Sequence, residues 1–222
     1  MAYDSSMDTL KHIERVGYYE KIYKDALNHK IITGEDINCN IDDMTLIDIL
    51  ALLIQGEDIP PYCNLFTDIN NNSKIYKLGT YHKDKLELIK FILEELDERA
   101  SKHDQSKLED PEKPYFDIWT PRIQEAGLGS DLYKYFLEQL KPALIHHYRV
   151  NRHHFQHFGN GINGMTITDL SEVLWDWNAT CDRHEDGNIY YSIDYLSKEH
   201  GYSKEMVKVL SNTCEKYFNK SK

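Results

Sequence analysis

Apolar side chains recur at helical intervals over most of this chain. From residue 7 to about residue 30, Leu10, Ile13, Val16, Ile22, Tyr23, Ala26 and Leu27 mark one or two amphipathic helices around Gly17. A dense apolar run from Leu46 to Ile54, with acids ahead of it and Gly56 and Pro60-Pro61 behind it, predicts a second helix over 43–55. Asn70, Asn71, Asn72 and Ser73 read as a turn or loop, the expected boundary between an N-terminal helical arm or subdomain (1–75) and a second unit (76–222). Beyond it, Leu86, Ile89, Phe91, Ile92, Leu93 and Leu96 predict a helix between Tyr81 and Ala100. Pro111, Pro114 and Pro121 mark the next stretch as irregular, and a helix over 131–147 follows, with Pro142 as a kink or a break. After a glycine loop over 159–164, Thr166 with Asp169 resembles a capping box opening a helix with Leu170, Val173, Leu174 and Trp177 on its apolar side. Short helices over 193–199 and 203–218 complete the pattern. Strand-like alternation is scarce and no repeat is visible, so the expected fold class is all-α.

Length and charge narrow the function. The 222 residues suffice for one core-forming domain with some chain left over. A formal charge of -11 argues against extended nucleic acid as a partner, because such binding needs several phosphates neutralised by Lys and Arg. The four cysteines, Cys39, Cys63, Cys181 and Cys214, form no CxxC pair and read as reduced thiols of a cytoplasmic protein. No stretch approaches the roughly 18 apolar residues of a membrane span. The apolar N-terminal segment makes a homodimer a further expectation.

What stands out is a series of imidazoles and carboxylates at helix-length intervals: His82, His103-Asp104, His147, His153-His154 and Asp176. Neutral imidazoles and ionised carboxylates converging from several helices are what a hydrolytic metal site needs, and Asp104 is placed to bridge two cations. Adjacent helix positions diverge by about 100°, so His103 and Asp104 grip one ion only over their shared edge. His147, Asn151 and His154 stand at i, i+4 and i+7, one face of a helix across two turns. In a straight helix about 10 Å of rise separates the two histidines. They serve different metals, or one serves the substrate, or the helix breaks near Asn151. His146, His153 and His157 lie off that face and are weaker candidates. Lys107, one turn beyond His103, is placed to neutralise a phosphate oxygen, Arg149 and Arg152 to clamp a second phosphate, and Glu172 to orient a ligand histidine or activate water.

The run His103-Asp104-Gln105-Ser106-Lys107 resembles the HD-x-[GS]-K motif of the HD-domain metal-dependent phosphohydrolase superfamily. The fuller series, from His147 to His154 and from Glu172 to Trp177, is similar to an uncharacterised HD-like family of bacteria and their phages. The resemblance covers roughly residues 81 to 213 and implies an all-α HD bundle with His82, His103, Asp104 and Asp176 as core metal ligands. His147 and His154 fall where two-metal members place additional histidines. The expected activity is hydrolysis of a small phosphate ester, nucleotide-like, with one or two divalent cations (Mn, Fe, Co, Ni or Zn) per chain. Two alternatives share the fold: a di-iron oxygenase, and a non-catalytic interaction or nucleotide-binding protein.

Overall fold

The computed structural model describes residues 3–34, 37, 40, 42–55, 85–126, 130–183 and 187–219. Among these residues there are eight α-helices and no strand. They are α1 (Ser6–Thr33), α2 (Leu46–Gln55), α3 (Lys85–Lys102), α4 (Lys113–Glu125), α5 (Asp131–Val150), α6 (Ile167–Cys181), α7 (Ile189–His200) and α8 (Lys204–Thr213), the last running on through a π-type turn, Cys214–Phe218. The fold is all-α. The expected domain boundary near residue 75 and His82 both fall outside the described residues.

Helix α1 is one unbroken element through Gly17, ended by Gly34 in the left-handed region with its N–H on the Lys30 carbonyl. Its buried positions, Thr9, His12, Val16, Tyr19, Tyr23, Leu27 and Lys30, form a stripe at helical spacing. That stripe packs against α2, α3 and α6. One apolar cluster joins Tyr23 and Leu27 of α1 to Leu50 of α2, Leu96 of α3, Trp175 of α6 and Leu210 of α8. The first helix is therefore part of the core. The stripe explains this, since a helix with so wide an apolar face has to bury it.

Two proline expectations need correction. Pro114 sits in the first turn of α4, where its missing N–H breaks no intrahelical bond, and α4 continues through Pro121. The stretch expected to be irregular is a helix. Helix α5 likewise runs through Pro142 without a break. It pairs with α4 as a hairpin whose residues are mostly half-exposed.

The helix that carries Asp176 opens on the expected capping box: the Thr166 side chain accepts from the Asp169 N–H and Asp169 accepts from the Thr166 N–H. Thr45 and Asp48 make the same reciprocal pair at the start of α2. Because α1 is central, Leu27→Ala is expected to cost about 2–5 kcal/mol of unfolding free energy, measured by urea denaturation. A loss below 0.5 kcal/mol, as an exposed position typically gives (about ±0.5), would show α1 to be peripheral.

Candidate metal centre

Helix α3 stops at Lys102, and the chain turns at Asp104, whose φ of 56° lies in the left-handed region. Aspartate is among the few side chains that tolerate this conformation. Both His103 and Asp104 are buried at this turn, each only 1 % exposed. Asp169, Glu172 and Asp176 stand at i, i+3 and i+7 on one face of α6. Helix α5 ends at Val150 with Asn151 extended, so His153 and His154 fold back and the rings of His147 and His154 come within 4.8 Å. The break near Asn151 is the outcome among the three left open by the sequence.

Asp104 lies at the centre. Its Oδ2 is 3.6 Å from His12 Nε2, 3.7 Å from His103 Nε2 and 2.6 Å from Lys107 Nζ. Its Oδ1 is 3.2 Å from His147 Nε2 and 3.5 Å from His153 Nε2. At 3.2 Å the His147 pair couples electrostatically but lacks hydrogen-bond alignment, since neither atom has a hydrogen-bond partner among the described residues. Asp176 Oδ1 stands 2.9 Å from His12 Nε2 and 3.7 Å from His103 Nε2. Two sets of atoms that could hold a metal ion thus flank one carboxylate, His12, His103 and Asp176 on one side and His147, His153 and His154 on the other, and a third set, His103, His153 and Glu172, overlaps both, each lying within 4.8 Å.

The opposite ring nitrogens are held by carboxylates. Glu172 Oε1 accepts from His103 Nδ1 and His153 Nδ1, both at 3.0 Å, and Glu112 Oε2 accepts from His147 Nδ1 at 2.9 Å. Since an ionised carboxylate only accepts, these contacts put a proton on Nδ1 and turn Nε2 toward Asp104. Arg99 Nη1 in turn contacts Glu172 at 3.1 Å and Asp169 at 2.7 Å.

Burial opposes charge throughout the cluster, and the neighbours decide the outcome. Burial pushes the His103 pKa down, but Asp104, Asp176 and Glu172 outweigh it and lift it to about 10. Burial pushes Asp104 up, yet Lys107, His103 and His147 hold it well below the usual carboxylate range. Asp176 is held low against burial by His103 and His12, as is Glu172 by His103 and His153. His154 is depressed to about 2 by burial and by His153 and His147. His153 is lowered by burial and by His103.

Of the residues expected at the site, His103, Asp104, His147, His154, Asp176, Lys107 and Glu172 come together. Arg152 lines a cleft, 44 % exposed, and its Nε and Nη2 grip the fully buried carboxylate of Asp169 at 2.9 Å each. Arg149 is exposed, two positions and so about 200° around α5 from His147. The Asn151 amide donates to the His147 carbonyl and to Ser106 Oγ, 2.9 Å each. His12, Glu112 and Arg99 were not anticipated, and His153 was underrated. His12 lies on the buried stripe of α1.

Residues 72–216 match the model of a family of unknown function, DUF5662. The chain belongs to that family. No curated protein and no solved structure matches it. The segment shared with DUF5662 holds every site residue described here except His12, which α1 supplies from outside it.

The pKa directions set a stability profile for the metal-free protein. His103, raised from 6.5 to about 10, contributes stability that is complete below pH 6.5 and lost as pH climbs through 10. His154, lowered from 6.5 to about 2, contributes stability present above 6.5 and lost as pH falls. Unfolding free energy measured by urea titration across pH is expected to peak near pH 6.5 and fall on both sides. In His103→Gln the alkaline decline flattens; an unchanged alkaline limb would contradict this charge arrangement.

Proposed function

We propose that this protein is a metal-dependent phosphohydrolase of the HD type acting on a small, nucleotide-like phosphate ester. The observation that carries this reading is the convergence of four imidazole Nε2 atoms on the two oxygens of one buried carboxylate, with three of the rings held from behind by carboxylates. Carboxylate–histidine pairs of this kind fix the tautomer and raise the basicity of metal-ligating imidazoles.

The residues suit a divalent cation. Asp104 Oδ1, His147 Nε2 and His154 Nε2 are buried with no hydrogen-bond partner among the described residues, although such groups are costly to leave unpaired. His12, His103, Asp104 and Asp176 would hold one cation, and His147, His153 and His154 offer ligands for another, with Asp104 between them. A divalent cation there supplies Lewis acidity toward a phosphoryl oxygen and an activated water near neutral pH. The rest belongs to the chain. Glu172 accepts from His103 and His153 through Oε1 and from Arg99 through Oε2, and so orients two imidazoles. Lys107, about a quarter exposed, places an ammonium at the rim, where it balances Asp104 and lies within reach of an entering anion.

A second reading is favoured by the same histidine-rich surroundings of one bridging carboxylate, which suit iron. A di-iron oxygenase would consume dioxygen with an organic substrate and be silent toward phosphate esters; a phosphohydrolase works with manganese under anaerobic conditions.

The test combines metal content and turnover over a phosphate-ester panel. Asp104→Ala is expected to abolish both while keeping the helical circular dichroism, and His12→Ala to deplete metal. Glu172→Gln is expected to weaken metal affinity by about 10–100-fold. Full metal content and turnover in Asp104→Ala would overturn the reading, and metal lost in His82→Ala but retained in His12→Ala would overturn the ligand set.

A further inference from the structure

A cleft of about 930 Å³ opens over His12, between α1, α4 and the end of α6. His12 is 4 % exposed and lines this cleft, and its Nδ1 is a buried nitrogen with no hydrogen-bond partner among the described residues. Its Nε2 is already turned to Asp176 and His103. The ring therefore stands between the cleft and the cluster around Asp104, with Nδ1 spare.

The lining carries both signs of charge. Lys11 and Arg15, one turn apart on α1, stand with Arg183 from beyond α6. Against them are the carboxylates of Asp8, which accepts from the Tyr3 hydroxyl, Glu14, and Asp182, which accepts from the Tyr19 hydroxyl and lies 3.4 Å from Arg15 Nε. Balanced charge makes a poor trap for a bare anion, but it fits a ligand that has an anionic group for the cations and hydroxyls to donate to the carboxylates. Tyr18, 41 % exposed, adds an aromatic face with the Arg15 guanidinium 6.0 Å from its centroid. Bases stack on such faces, typically for about 1–3 kcal/mol.

We propose that this cleft is the substrate subsite and that its ligand is a nucleoside phosphate. Lys11 takes the phosphate together with Arg15, which turns to it from Asp182, Glu14 accepts from the ribose hydroxyls, and Tyr18 stacks on the base. The inference rests on the phosphohydrolase reading of the centre beneath it, and adds the side of the centre from which substrate arrives and the groups that select it.

Titration calorimetry of the full-length protein, supplied with manganese, with a nucleoside 5′-monophosphate, ribose 5-phosphate and inorganic phosphate tests it, manganese content being measured on the same samples. Expected is binding of the nucleotide at least about 10-fold tighter than that of inorganic phosphate. Arg15→Gln and Lys11→Gln should each weaken nucleotide binding by about 10-fold without changing manganese content, Tyr18→Ala should weaken the nucleotide but not ribose 5-phosphate, and Arg149→Gln should change nothing. No nucleotide binding, equal binding of all three ligands, or unaltered binding in Arg15→Gln and Lys11→Gln would overturn the cleft assignment even if manganese is bound. Nucleotide binding that depends on Arg15 in a protein that takes up no manganese would keep the cleft and sink the metal reading instead.

Discussion

The buried carboxylate of Asp104 is the constraint on which the site turns. A carboxylate taken out of water is costly unless positive charge surrounds it. Here it is 1 % exposed, and the fold answers with the Lys107 ammonium at 2.6 Å and imidazoles on both sides. The geometry starts in the backbone, where the chain leaves α3 and makes a left-handed turn at Asp104, with His103 and Asp104 both facing the interior. It ends in the side chains, where two oxygens of one group meet two different sets of imidazoles.

Around that carboxylate the fold builds a second layer from charges that also serve secondary structure. Asp169 closes the capping box of α6, and the same group receives Arg99 and the forked Arg152. Arg99 reaches on to Glu172, which holds His103 and His153. The start of α6 and the orientation of two imidazoles are thus tied to a single guanidinium. On the other side Glu112, fully buried, accepts from His146 and His147 and fixes the end of α5. A cluster that could hold a metal is aimed from outside inwards here, since each ring is oriented by a carboxylate behind it or a charge beside it.

Much of this was legible in the chain. The 3.6-residue period showed an all-α protein, Thr166 with Asp169 announced α6, and the spacing of His103-Asp104 and Asp176 singled out residues that do meet. What was hidden depended on tertiary packing. His12 sits in a mixed-polarity helix where a reading centred on Leu10 and Ile13 shifts the apolar face; in the structure Leu10 is 46 % exposed and the stripe runs through His12 and Val16. Glu112 follows Pro111 in a segment expected to be irregular, so nothing in its spacing linked it to His147. Arg149 and Arg152 neighbour histidines in sequence, but Arg149 lies about 200° around α5 from His147 and Arg152 pairs with Asp169, arrangements that the spacing did not show. His153 was set aside for lying off the helix face, an argument that lapses where the helix does.

The central claim is that cations sit around Asp104, with α1 contributing a ligand. Anomalous diffraction from crystals grown with manganese tests it most directly. The account predicts a peak at coordination distance, about 2.0–2.3 Å, from His12 Nε2, His103 Nε2 and the carboxylates of Asp104 and Asp176; a second peak would lie near His147 and His153. A map with no peak at Asp104, or with manganese only on surface carboxylates, would contradict it.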